Sequence, residues 1–268
     1  MSARAAALLL LVLLAAAAAA PAISRHRPDA LDLEHRRSAP SAAHWFGTDD
    51  LGRDVLSRVL HGARVSLAVG LLAALLAGGI GIIVGGIAGY AGGAADTVLM
   101  RLTDAMLSVP RLLLLMIAGA VLAPSVALLV LLVGAVGWME TARVGRAEIL
   151  SLRTREFVES ARAAGAGFPR LLVRHLLPGA AGPVSVAVTL AVGRSILLES
   201  ALSFFGVGVQ PPSASWGNML YQAQATMSTE PWLALFPGLF IFVTVLAVNV
   251  LGDALAEWGP SGVSRSGA

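Results

Sequence analysis

Four stretches of this chain carry no charged side chain: residues 5–24, 65–95, 112–139 and 231–252. A helix of about 20 mostly apolar residues crosses the hydrocarbon core of a bilayer, and each stretch is long enough. In lipid every backbone N–H and C=O must be bonded within the protein, so only helices and closed barrels can span. Barrel strands read as short segments of alternating polarity, and these runs do not alternate. The expected fold is an all-α membrane protein with about six transmembrane helices. Composition agrees: 13% of residues are charged and the mean hydropathy is +0.79, whereas about 25% of a soluble domain's residues are charged.

The side chains also exclude several chemistries. There is no cysteine, hence no disulfide, thiolate nucleophile or thiolate metal site. All 19 basic residues are arginine. A phosphate-binding P-loop needs a lysine to reach the β- and γ-phosphates, so any ATP-driven step belongs to another subunit and no cofactor is expected in this chain. The net charge of +3 is modest. The arginines flank apolar runs, as membrane-flanking cations do, so membrane lipid is an expected partner and nucleic acid is not. His26, His35, His44 and His61 share one polar segment, and His175 lies in another. No helix carries His, Asp or Glu at ligating spacing in mid-membrane, so neither a metal site nor a catalytic residue is expected.

Residues 1–24 read as a first transmembrane helix or as a signal peptide, since an apolar run followed by small residues fits both. Residues 25–64 are polar. Within them, apolar side chains at 51, 55, 56, 59 and 60 mark one helix face. An amphipathic helix lying on the membrane surface is expected there, capped by Thr48 or Asp49, with Asp49–Arg53 and Asp54–Arg58 pairs on its wet side. Asp49–Asp50 is read as the solvated start of that helix rather than as a metal site. A second span over 65–91 carries small residues at Ala73, Ala77, Gly81, Gly85, Gly89 and Gly93, a stripe that lets another helix come close. The third span begins near Asp96; Asp104 and Arg111 should share a face, with a kink at Pro110. A hairpin around Pro124–Ser125 leads to a fourth span over 126–141. Residues 142–179 are polar. A fifth span covers 181–204, a structured loop with a short helix covers 205–231, and a sixth span covers 232–252. The core domain is 65–255, and 256–268 is a short tail. Six spans put 25–64 and 205–231 on one side and 142–179 on the other. Charge does not orient them, because 25–64 and 142–179 carry seven arginines each.

The polar segment 142–179 contains ESARAAGAGFPRLLVRHLLP, residues 159–178. Residues 153–164 should form a short helix anchored by Phe157 and Val158. Gly165 and Gly167 supply positive φ to stop it, and Pro169 opens the next helix. The order Glu159, Ser160, Ala161, then Gly165, then Leu177 and Pro178 resembles the EAA motif of permease subunits of binding-protein-dependent ABC importers. Ser160 stands where the motif has Ala, and His175 where it has Ile. The stretches HWFGTDDLGRDVLSRVLHGARVSL (44–67), LSFFGVGVQPPSASWGNML (202–220) and FPGLFIFVTVLAVNVLGDAL (236–255) are similar to C-type permeases of the dipeptide, oligopeptide and nickel group. The resemblance implies a type I importer permease (MetI-like) fold in the bacterial inner membrane and no catalysis. It implies a homologous second permease, two ATP-binding subunits that use ATP and Mg and dock at 153–168, and an extracytoplasmic solute-binding protein facing 205–231, with Gln210, Trp216, Asn218 and Tyr221. In this reading 25–64 is extracytoplasmic, 142–179 is a cytoplasmic coupling segment in which Glu159 anchors the helix by a hydrogen bond or ion pair, and the tail is cytoplasmic. The cargo would be short peptides, or nickel or another small solute.

Two ionisable groups fall in the fifth span, Arg194 and Glu199. A charge at the centre of a membrane helix costs about 2.5–3.5 kcal/mol on insertion scales, so each needs a partner or a wet path. Five residues apart, they sit on different faces and do not pair with each other. Arg194 should line the translocation path or form an interhelical ion pair with Asp104 or Glu140. A secondary transporter would need inverted repeats around an ion site, which the sequence lacks, and it would leave 159–178 unexplained.

Overall fold

The computed structural model describes residues 1–122 and 125–258; the expected hairpin residue Pro124 and tail residues 259–268 lie outside the described residues. Helix α1 (Ala3–Ala18) is capped by the Ser2 hydroxyl, which accepts from the Ala5 amide, and continues as the short α2 (Ala20–Ile23). An irregular segment then leads to α3 (Val55–Ala91), a single helix of 37 residues. At 1.5 Å per residue it is about 55 Å long. The surface helix and the second span expected from the sequence are therefore one rod. It starts at Asp54, whose carboxylate accepts from the Ser57 amide, rather than at Thr48 or Asp49.

Helix α3 ends at Gly92, where φ is +65°. Helices α4 (Gly93–Ser108) and α5 (Arg111–Val121) follow, bent by 79° at Val109–Pro110. Pro110 breaks this segment rather than kinking it, so Asp104 and Arg111 do not share a helix face. Helices α6 (Val126–Ala135), capped by Ser125, and α7 (Trp138–Leu152) bend by 43°. Residues 142–152, expected to begin the polar loop, are still helical. The real loop holds α8 (Glu156–Ala163), α9 (Phe168–Leu171) and one π turn (Leu172–Leu176). Helix α10 (Leu177–Phe204) follows, then the short α11 (Trp216–Ala223), then α12 (Trp232–Trp258). Three of these helical segments are long and apolar enough to cross a membrane singly. The two bent pairs bring the number to five, and α1 is a further apolar helix of 16 residues.

Helix α3 is the centre of the bundle, with α7 on one side and α10 on another. Glycines explain the closeness. A Cβ on Gly85 would sit 2.3 Å from the Ala142 carbonyl oxygen, and one on Gly81 2.6 Å from the Thr141 Cβ. Gly89 meets the Arg146 carbonyl in the same way, at 2.8 Å. Lipid tails are as apolar as the helices, so tight contact of this kind, rather than hydrophobic expulsion, holds membrane helices together. The expected stripe thus packs on α7 from Ala77 to Gly89, whereas Ala73 packs against Leu129 and Val133 of α6, and Gly93 lies beyond the helix end with nothing within 4 Å of an added Cβ. A second set, Gly70 and Gly78, faces Ile196 and Val188 of α10.

Candidate functional site

The segment between α7 and α10 forms a small knob at the Ala91 end of the bundle. Its first helix, α8, is stopped by geometry. The Gly165 amide donates to the Arg162 carbonyl at 3.0 Å, and the Ala166 amide to the Ala161 carbonyl at 3.0 Å. This pair of bonds is a Schellman motif, and it requires a left-handed residue in between. Gly165 supplies it with φ +83°. Gly167 does not share that role: its φ is −72°, and it serves as the residue before α9, with Pro169 in the first turn. Ala161 and Ala166 each pack at the edge of the knob's core, where Val158, Leu171 and Leu176 are fully buried against Ile149 and Ala180. Val158 is therefore an anchor, whereas Phe157 is 46% exposed.

The knob is tied to the spans at its root. Arg153, just after α7, donates from Nη1 to the carbonyls of Gly89 and Tyr90, both at 3.2 Å. These are carbonyls of the last turn of α3, which the helix itself leaves unpaired. The Phe168 and Tyr90 rings lie 4.6 Å apart. Below the root, α7 carries three ion pairs to the α4–α5 segment: Arg146 to Asp96, Arg143 to Asp104 at 2.5 Å, and Glu140 to Arg111 at 2.8 Å. The knob is thus joined through Arg153 to the end of α3, and α7 is joined to the α4–α5 segment.

The outer surface differs. Glu159, Ser160, Gly165 and Pro178 are exposed, and Ala161 and Leu177 are half-buried. Among the described residues the Glu159 side chain makes no hydrogen bond and no ion pair within this chain. It points outward because α8 turns its apolar face, Val158 and Ala161, to the core. Arg155, Arg162, Arg170 and Arg174 are also exposed on the knob, as are Phe157 and Val173. The site is thus an insert with its own small core, an outward carboxylate, exposed arginines and uncovered apolar side chains.

At the other end of α3, residues 205–231 fold down onto residues 25–64. Trp216 is fully buried, and its indole N–H donates to the Val59 carbonyl at 3.1 Å. Asn218 completes a capping box with Ser215, and its amide donates to the Ser213 and Val209 carbonyls. Of the side chains expected at this surface, Tyr221 and Gln210 are exposed whereas Trp216 and Asn218 are buried. The Asp49–Arg53 pair forms at 2.7 Å but is buried rather than on a wet face. Arg58 turns to Asp49 at 3.5 Å, not to Asp54, and the guanidinium groups of Arg53 and Arg58 both donate to the Gln222 side-chain oxygen, Oε1.

Inside the spans, Arg194 meets Glu140 at 2.8 Å, so Glu140 lies between Arg111 and Arg194. The pair borders a cavity of about 390 Å³ shared by α7, α10 and the end of α12. Glu199 neither pairs with Arg194 nor faces open space. It is fully buried, and accepts from the Ser66 hydroxyl at 2.9 Å and the Ser203 hydroxyl at 2.8 Å. Ser66 in turn accepts from the Trp216 amide. Glu199 therefore joins α3, α10 and α11 through hydroxyls, not through an ion pair. The sequence reading missed Arg153, Asp96, Arg143 and Arg146. One signal was present: charges inside spans must find partners, and Asp96 and Asp104 on one helix match Arg146 and Arg143 on another in reverse order.

The model of the family of binding-protein-dependent transport system inner membrane components matches residues 81–263. A putative peptide permease protein of Brucella suis is 42% identical over 234 residues, covering 87% of this chain and 78% of that protein. The dipeptide transport system permease protein DppC of Bacillus subtilis is 40% identical over 238 residues, 88% of this chain and 74% of that protein. The glutathione transport system permease protein GsiD of Pectobacterium atrosepticum is 40% identical over 227 residues, 85% and 75% respectively. The match takes in the C-terminal end of α3, the knob and every later span, and with it this chain belongs to the family of inner membrane components of binding-protein-dependent transport systems, as a non-catalytic, multi-pass membrane subunit.

Proposed function

We infer that this chain is one permease of an ATP-driven importer in a bacterial inner membrane and forms half of the path for short peptides. The observation that carries this reading is the knob: closed by Gly165, seated on buried Val158 and linked through Arg153 to the end of α3. Such a lever is what a separate ATPase needs in order to push membrane helices. Residues 153–168 dock in an ATP-binding subunit, with Glu159 offered to a cationic or N–H group there. Two such subunits bind ATP and Mg, one beneath this chain and one beneath a homologous second permease. The knob is then cytoplasmic, and the cap of 25–64 and 205–231 faces an extracytoplasmic solute-binding protein. The names of the relatives above favour peptides over nickel or another small solute.

Co-purification with the ATP-binding subunits tests the reading. Glu159→Arg should abolish co-purification and uptake while leaving helix content unchanged. Uptake that persists with Glu159→Arg overturns it. Arg194, which borders a cavity yet pairs with Glu140, is assigned to the path. Arg194→Gln should reduce peptide uptake more than it reduces yield of the complex; lost yield with normal uptake per complex assigns it a packing role instead.

A further inference from the structure

We propose that His26, His44 and Asp54 form a binding site for a divalent transition cation, of which zinc is the type, on the cap at the N-terminal end of α3. The three residues come from different places: His26 follows α2, His44 lies midway along the irregular segment, and Asp54 caps α3. One ligating atom from each lies within 4.8 Å of the others. The His26 and His44 rings are 4.7 Å apart at their centroids, and His44 Nδ1 is 2.9 Å from Asp54 Oδ1. Two imidazole nitrogens and a carboxylate oxygen are a borderline donor set. They suit zinc, cobalt or nickel better than calcium or magnesium, which want oxygen alone.

Three features go beyond a simple His–Asp hydrogen bond. A cavity of about 80 Å³ opens beside the group, lined in part by His26, Asp54, Ala43 and Ser24. That is room for an ion and one or two waters, each water occupying about 30 Å³ in the liquid. The Ser24 hydroxyl on this wall is buried without a partner, and a metal-bound water would give it one. The ligands are also already oriented. The second carboxylate oxygen of Asp54 accepts from the Ser57 amide at 2.8 Å, and His26 Nε2 lies 3.3 Å from the Ala43 carbonyl oxygen. Contacts of that kind fix ligand direction in metal sites. His35 is excluded, since its Nδ1 is 2.8 Å from Asp32. Arg25 also lines the cavity, but its guanidinium lies over the Trp45 ring, 5.0 Å from the centroid. A bound ion would join the segment entering the cap to the first turn of α3.

The test uses the full chain in detergent, without a histidine tag, stripped with chelator and dialysed against zinc. About one zinc per chain is expected, with affinity reduced about 10–100-fold in His26→Asn and in His44→Asn. His35→Asn should bind as the parent does. Cobalt substituted for zinc should give visible absorption bands that His26→Asn removes. His44→Asn can loosen the cap through its lost bond to Asp54, so His26, which is exposed and whose side chain makes one hydrogen bond, to the Ala43 carbonyl, is the decisive variant. Stoichiometric zinc retained at full affinity by a folded His26→Asn, or no stoichiometric zinc in the parent, overturns the proposal.

Discussion

The two ends of α3 are built on opposite plans. At the Val55 end, charge is turned inward: Asp49, Arg53, Asp54 and Arg58 are buried and pair with one another or with Gln222, His44 and helix amides. At the Ala91 end, charge is turned outward: Glu159 and four arginines of the knob are exposed around a small buried core. A buried ion pair is costly to break and gains little over a hydrophobic substitute, so the first end is a fixed closure. An exposed carboxylate on a rigid, apolar-seated helix does nothing for its own fold and is available to a second protein. The difference separates a part that holds the bundle from a part whose charge is left for the outside.

Substitutions that break this contrast should act on different readouts. The largest effect is expected from Asp49→Asn, which leaves two guanidinium groups buried beside a neutral amide. Breaking a buried pair costs about 3–5 kcal/mol, so the melting temperature should fall sharply while affinity for the ATP-binding subunits is unchanged in the protein that remains folded. Gly165→Pro should come next. It cannot adopt φ +83° and removes the amide that donates to Arg162, a local cost of about 3 kcal/mol. Association with the ATPase should be lost with the spans intact, as measured by pull-down and circular dichroism. Val158→Ala removes two buried methyl groups, about 1.6 kcal/mol at ~0.8 per group. Hydrogen exchange in α8 should quicken while exchange in α3 stays slow. Glu159→Gln should change stability by less than about 0.5 kcal/mol, as surface changes do, yet weaken ATPase binding.

The smallest effect concerns pH. The hydrogen bond from His35 holds the Asp32 carboxyl below the usual carboxylate range. A depressed folded value means stability that is present above the ordinary carboxylate pKa and is lost as pH falls through the lower one. A shallow loss of cap order on acidification is expected, to be followed by the His35 ring signals in NMR and removed by His35→Asn.

Much of this was legible in the sequence, for identifiable reasons. The charge-free runs mark the spans because lipid tolerates little else. The knob was legible because glycine, proline and buried valine have local consequences: Gly165 must take positive φ wherever α8 ends. The continuity of α3 through residue 64 was not. Hydropathy reports whether a residue suits lipid, and the first turns of α3 carry the charged Arg58, which is satisfied by Asp49 from the segment before the helix. The 79° break at Pro110 was underestimated because a proline fixes the place of a bend but not its angle. Glu140 with Arg111 and Arg194, and the His26, His44 and Asp54 group, are formed by residues far apart along the chain, and only tertiary packing brings them together.

The chain's lack of cysteine offers a direct measurement of where the knob points. A single cysteine at Arg162, Arg162→Cys, places one thiol on the exposed face of α8. A membrane-impermeant thiol reagent should label it in inverted membrane vesicles and leave it untouched in intact cells, with labelling blocked when the ATP-binding subunits are present. Labelling of intact cells, or labelling indifferent to those subunits, would contradict the knob's role as the receiver of work from a separate ATPase.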